Sequence, residues 1–339
     1  MRRRVALSLI CWFGVTLAQT PPFRVQTQIV QVPVSVTDKN GHRIEALAPG
    51  DFVLLDDGVR QEVTVDDYVG FDPISLVIAV QTSGISTPAL ATIRRIGGLI
   101  QPLVSGERGA VAVVTFDRRV TWFQGFTSDD DRIRAALSSL RPDKDLQDAR
   151  MLDAISVVAG HMQKRPGRKL LLLISESRDR GSETTIEQAI EILERENIEV
   201  FAAPYSAYAT SLIAKPKDLP DLSAPPELPD DPTEIPNPPP AINFMSIFSE
   251  LARLGKTNSL QALTRATGGS EHSFVRKHGI ENAIEKLGTA VHNQYILSFP
   301  QRASAAPGIH QIEVGVPGRA DVELRWRHAY WAEGPDPAQ

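Results

Sequence analysis

Residues 74–80 read Ile-Ser-Leu-Val-Ile-Ala-Val and run straight into Gln81-Thr82-Ser83-Gly84-Ile85-Ser86. A short apolar run without helical spacing, cut off by a polar Ser-Gly loop, predicts a parallel strand buried on both faces. Such a strand needs helices above and below it, so one segment already points to an open α/β sheet. In that architecture ligands bind outside the carboxyl ends of the strands. The segment 81–86 is therefore the first place to look for a site.

The chain beyond it alternates in the way that strand requires. Apolar strands are predicted near 109–116, 170–174 and 198–203, with a short edge strand at 120–123. Helices are predicted near 88–100, 128–140, 148–163, 184–194, 259–267 and 280–291, the fifth stopped by Gly268-Gly269. Residues 295–299 are expected to supply the last strand of this unit. Strand and helix in alternation imply right-handed crossovers and a mainly parallel, doubly wound sheet, Rossmann-like in plan, over residues 71–300. Residues 215–241, with Pro225-Pro226 and Pro238-Pro239-Pro240, are too rich in proline for helix or central strand and read as an exposed insertion.

Residues 23–70 form a small β module by pattern. Val32, Val34 and Val36 alternate with period two, and Pro33 between them predicts an edge position. Asn40-Gly41 and Asp57-Gly58 mark turns. Two more alternating strands at 308–331 are expected to pack with this module, bringing the two ends of the chain together.

Residues 1–18 differ from the rest. Arg2, Arg3 and Arg4 precede an apolar run from Val5 to Leu17, and Ala18 closes it, the pattern of a secretory signal cleaved after Ala18. The run is shorter than the roughly 18 apolar residues of a span, so no membrane span is expected in the mature chain. The expected destination is the periplasm, the cell surface or the medium. The single cysteine, Cys11, lies in this leader, which leaves the mature chain without a disulfide, thiol nucleophile or thiolate ligand. With 36 basic against 41 acidic residues the net charge is −5, which does not invite nucleic acid.

The order of elements, together with Val80-Gln81-Thr82-Ser83-Gly84, resembles the von Willebrand factor A fold. It is similar in particular to an exported bacterial branch, the VWFA-related Acidobacterial domain family. The matching pieces are Val36-Thr37-Asp38, Asp51-Phe52, Asp57-Gly58, Val114-Thr115-Phe116-Asp117, Leu152-Asp153-Ala154, Ala266-Thr267-Gly268-Gly269 and Gln294-Tyr295-Ile296-Leu297. The resemblance implies a metal-ion-dependent adhesion site, in which an Asp-x-Ser-x-Ser loop, a threonine and a second aspartate hold Mg²⁺. Carried over by position, the first aspartate falls on Gln81, the serines on Ser83 and Ile85, the threonine on Ala149 and the second aspartate on Glu176. Mg²⁺ takes hard oxygen ligands in octahedral array. One hydroxyl, one amide oxygen and one carboxylate are a poor set for it, so a degenerate site without a cofactor is expected.

Catalytic signatures do not replace it. The seven histidines include no pair at helical ligand spacing, and no Gly-x-Ser-x-Gly elbow or phosphate-cradling loop occurs. Asp56-Asp57, Asp66-Asp67 and Asp129-Asp130-Asp131 fall in turns or at a helix start and are expected to be solvated. The expectation is a non-catalytic exported protein that binds a protein partner. Metal-dependent adhesion, with Mg²⁺ held by Ser83, Glu176 and waters, is one alternative; a hydrolase with an unrecognised site is the other.

Overall fold

The run that opens at Ile74 becomes β5 (Ile74–Gln81), and all eight of its residues are buried. The structure is a computed structural model that describes residues 28–66, 73–83, 86–100, 104, 109–143, 148–205, 251, 255, 258–274, 279–302, 305–319 and 321–332. The leader 1–18 and the proline-rich segment 215–241 lie outside the described residues.

On one side β5 pairs in parallel with β6 (Ala110–Phe116), and β6 pairs antiparallel with β7 (Val120–Thr127) at the edge. On the other side it pairs with β8 (Arg168–Ile174), followed by β9 (Ile198–Ala202), both parallel. The order is β7-β6-β5-β8-β9. Helices α1 (Thr87–Ile93), α2 (Gly97–Ile100), α3 (Asp130–Ser139) and α7 (Gly279–His292) cover one face. Helices α4 (Met151–Met162), α5 (Ile186–Arg195) and α6 (Ser259–Thr267) cover the other. This is the doubly wound α/β sheet that the apolar strands require. Because β6 and β8 flank β5 on opposite sides, the chain reverses its direction of travel between β5 and β8. That switch point opens a crevice at the carboxyl ends of these two strands.

Local signals set the helix starts one residue later than their patterns predict. Asp129 caps α3 by accepting from the N–H groups of Asp131 and Arg132. Thr185 with Gln188 makes the capping box of α5. Thr184 is occupied by Asp153, which accepts both its N–H and its hydroxyl. The edge strand β7 is longer than 120–123, and the region 88–100 breaks into α1 and α2.

Strands from both ends of the chain form two further sheets. One has the order β12-β1-β10-β4 and joins β1 (Ile29–Asp38), β4 (Thr64–Asp66), β10 (Tyr295–Pro300) and β12 (Val322–Trp326). The other has the order β13-β11-β2-β3 and joins β2 (Val53–Asp56), β3 (Val59–Gln61), β11 (Gly308–Gly315) and β13 (Ala329–Ala332). Val32, Val34 and Val36 of β1, Leu54 of β2, Leu297 and Phe299 of β10 and Val314 of β11 share the core between them.

Two expectations are corrected here. Residues 295–299 do not close the α/β sheet: β10 pairs with β1 and β4, and its alternating burial shows a strand with one buried face rather than two. Nor does Pro33 mark an edge, because β1 has neighbours on both sides. Pairing to β12 starts only at Val34, so Pro33 lies where β1 has β10 alone and a missing donor is tolerated.

Buried ionic networks fasten this module to the α/β unit. Arg327, just after β12, donates from Nε and Nη2 to Glu194 of α5, and also bonds Asn197 and the Ala329 carbonyl. Arg168 of β8 bonds Glu199 of β9, Gln294 ahead of β10 and the Val291 carbonyl, while Gln294 donates to Glu199. Removing one member leaves a buried charge alone, which costs more than the pair contributes. Arg327→Ala should therefore lower unfolding stability by about 3–5 kcal/mol in a denaturant titration. The double variant Arg327→Met/Glu194→Leu should recover much of that loss. A single variant as stable as the parent would show that the seam does not depend on the pair.

Candidate functional site

At the switch point β5 ends in Gln81, whose side chain is fully buried. Its Nε2 donates to Ser83 Oγ at 2.6 Å, and its Oε1 accepts the backbone N–H of Glu176, beyond β8, at 2.9 Å. One amide thus ties the loop after β5 to the loop after β8, across the mouth of the crevice. Ser83 Oγ lies 3.4 Å from Ser86 Oγ, and Ser86 accepts the hydroxyl of buried Tyr205 at 2.6 Å. Burial, with the Glu176 carboxylate nearby, pushes the Tyr205 phenol above its ordinary range, so the chain of hydroxyls and amide is neutral. Among the described residues no imidazole or carboxylate bonds Ser83 or Ser86, so no base-activated nucleophile is assembled there.

The other positions converge on the same end of the sheet. Ala149 is buried and exchanges both backbone hydrogen bonds with Arg180, at 3.0 and 2.9 Å. Glu176 sits at the rim, its carboxylate 3.5 Å from the Arg180 guanidinium. Ile85 lies outside the described residues. Asp179 accepts from the N–H of Leu152 and the hydroxyl of Ser182, and Asp153 from Thr184, so both carboxylates fasten the surrounding loops. Sequence position therefore places Gln81, Ser83, Ala149 and Glu176 together. It does not show that the amide at 81 uses both of its ends.

This set does not fit the Mg²⁺ that the resemblance implies. The Gln81 oxygen already accepts a backbone N–H, Ser83 Oγ already accepts an amide N–H, Ala149 has no side-chain oxygen and Glu176 faces a guanidinium. Too little unsatisfied negative charge is left to dehydrate a hard dication.

A second cluster corrects the expectation of solvated turn carboxylates at Asp56, while Asp57, Asp66, Asp129 and Asp131 are exposed. Asp56 is wholly buried and accepts from Arg302 Nε at 2.7 Å, with the Tyr330 hydroxyl at 3.3 Å. Asp57 accepts from Arg302 Nη2 at 2.8 Å and lies 2.6 Å from His310 Nδ1; His310 Nε2 lies 2.7 Å from the Ala306 carbonyl. Asp56, Asp57 and His310 are metal-ligand types gathered closely, but Arg302 already supplies the cation. The turn signal was correct; nothing near it in sequence announces an arginine some 245 residues away.

Two further histidines are held neutral. Burial, reinforced by Arg325 and Lys286, pushes the His272 imidazole down to about 4, and burial with Arg265 nearby does the same to His328, also to about 4.

No family model matches the chain, and no curated protein matches it. Solved structures similar to it include the vWF domain of the type V pili tip protein Mfa5 from Porphyromonas gingivalis, at 17% identity and TM-score 0.28, covering 32% of this chain and 39% of that one. The protein BatB from Bacteroides thetaiotaomicron is similar at 14% identity and TM-score 0.37, covering 64% and 99%. Proximal thread matrix protein 1 from the mussel byssus, with a zinc-occupied MIDAS motif, is similar at 11% identity and TM-score 0.43, covering 70% and 49%. The chain thus spans about two fifths of the Mfa5 structure and half of the byssus protein. The α/β class itself stands on the strand order and the two helical layers.

Gln81→Ala should cost about 1–3 kcal/mol of unfolding stability, because the Glu176 N–H loses a buried acceptor. An unchanged denaturation midpoint would mean the tie contributes nothing to folding. For His272 and His328 the folded state takes up protons less readily than the unfolded chain, whose imidazoles titrate near about 6.5. Their contribution is complete above about pH 6.5 and is lost as pH falls towards 4. The melting temperature should drop over that window, and less steeply in His328→Gln.

Proposed function

We propose that this chain is an exported, non-catalytic protein-binding or scaffold protein of the von Willebrand factor A-like type, in the VWFA-related Acidobacterial branch. Its partner docks on the carboxyl end of the parallel sheet, over the rim formed by residues 81–83, 86, 149–150 and 176–179. It docks without a bridging metal ion. The observation that carries this reading is the tie from Gln81 to Ser83 and to the Glu176 N–H, which fills the switch-point crevice with a neutral, satisfied side chain. A face closed in this way offers shape and rim polarity rather than an open coordination position. Export is supported by the basic-apolar-small leader of residues 1–18, and no helix among the described residues is long and apolar enough to cross a membrane.

The test is capture of exported proteins from the source organism by the mature chain, once with Mg²⁺ and once with chelator, followed by the same capture with a rim variant, Arg180→Glu. Equal retention in both buffers and loss with the variant support docking without metal at this face. Loss in chelator would overturn the reading. Separately, millimolar Mg²⁺ or Mn²⁺ should leave the melting temperature unchanged, since an ion bound only to the folded state would raise it.

A further inference from the structure

The seam between α6 and β12 holds a cleft of about 340 Å³, walled by Arg265, Ser270, Glu271, Arg325, Trp326 and His328. That volume lies in the range of small-molecule sites, which favour boundaries between structural units. The backbone around it is tightly fitted. Gly268 caps α6 at φ +80°, and a Cβ there would come within 2.6 Å of the Arg327 nitrogen; one on Gly269 would strike the Val200 carbonyl. Ser270 and His272 continue along β9 through hydrogen bonds to Ala202, which sets Glu271 in the wall.

The charges in this wall are unusual for an acidic chain. Arg265, Arg325 and Glu271 all line it, two cationic residues to one acidic; Arg265 lies close enough to favour the charged form of Glu271, against its burial, and the field of the arginines, with Lys286, helps to keep His272 and His328 uncharged. Guanidinium forks suit a carboxylate. The Trp326 indole is not available as a donor, because its N–H goes to the Ile312 carbonyl. Glu271 supplies the second half of the recognition. Its Oε2 is shielded from solvent and has no hydrogen-bond partner among the described residues. Orphaned buried acceptors of this kind call for an explanation, and a ligand that brings a donor provides one. The same carboxyl group disfavours a dianion such as phosphate.

We propose that this cleft binds a small 2-hydroxy- or 2-amino-carboxylate, with the ligand's carboxylate on Arg265 and Arg325 and its hydroxyl or ammonium group turned to Glu271. The site uses none of the residues at the carboxyl end of the sheet and does not depend on the function proposed there.

The experiment is calorimetric titration and thermal shift of the mature chain with lactate, alanine, propionate, lactamide and inorganic phosphate. Lactate or alanine should bind saturably and raise the melting temperature. Propionate, which lacks the donor, should bind several-fold more weakly, and lactamide, which lacks the carboxylate, should not bind. Arg325→Met should weaken lactate or alanine at least tenfold; if it fails to fold, Arg325→Lys, which keeps the charge and loses the fork, should weaken them too. Glu271→Gln should bring lactate or alanine down to the level of propionate and leave propionate unchanged. No saturable binding of lactate or alanine, phosphate binding more tightly than either, or affinity that survives the arginine variants would overturn the proposal.

Discussion

The structure depends on buried charge shared between parts of the chain that are distant in sequence. Arg327 and Glu194 are both buried, and so are Glu199 and Gln294 with Arg168 beside them. Each network has one member on the α/β sheet or its helices and another at the border of the β module. Burial pushes the Glu194 carboxyl up while the Arg327 guanidinium pulls it down. A charge of either sign left alone there would be expensive, so the two units are stable as partners and strained as separate pieces. Apolar contact would hold them together with less dependence on angle. Guanidinium and carboxylate geometry fixes orientation as well as proximity.

That fixed orientation shapes both candidate sites. The cleft at the seam exists because β12 is held against α6, with the His328 N–H bonded to the Ala266 carbonyl and glycine at 268 and 269 where a side chain would collide. At the carboxyl end of the sheet the corresponding device is local. The Gln81 amide reaches 95 residues along the chain to the Glu176 N–H and closes the crevice from within. One site is therefore an opening between units, and the other is a surface tied shut by a buried amide.

How far these features were legible in the sequence depends on their range. Runs such as 74–80 and 170–174 state their own burial, so the parallel sheet and its helical layers could be read directly. The pairing of the chain's two ends was also legible, from period-two strands at both. What could not be read was which sheet a half-buried strand joins. Tyr295, Leu297 and Phe299 alternate as a module strand does, yet the helix before them suggested one more βα step. Likewise Asp56-Asp57 announced a turn correctly and the burial of Asp56 not at all, since its partners Arg302 and Tyr330 lie far along the chain. Position-by-position comparison found Gln81 and Ala149, but only coordinates reveal that the amide is satisfied at both ends.

The amide at 81 and the alanine at 149 make physical sense together. A carboxylate buried at 81 without a cation would keep the Glu176 N–H as a donor but would turn an acceptor towards Ser83, and among the described residues no guanidinium bonds the side chain there to offset the charge. Its desolvation would then oppose folding, and its proton affinity would rise until it was neutral. Glutamine supplies the donor and the acceptor that this corner needs, in one uncharged group of nearly the same shape. Ala149 then needs no oxygen, because its backbone is already paired with Arg180 and its methyl group fills space at the top of the core. Placing an oxygen ligand at either position alone would therefore leave a polar group unsatisfied. Building a metal site here would require Gln81, Ile85 and Ala149 to change in concert.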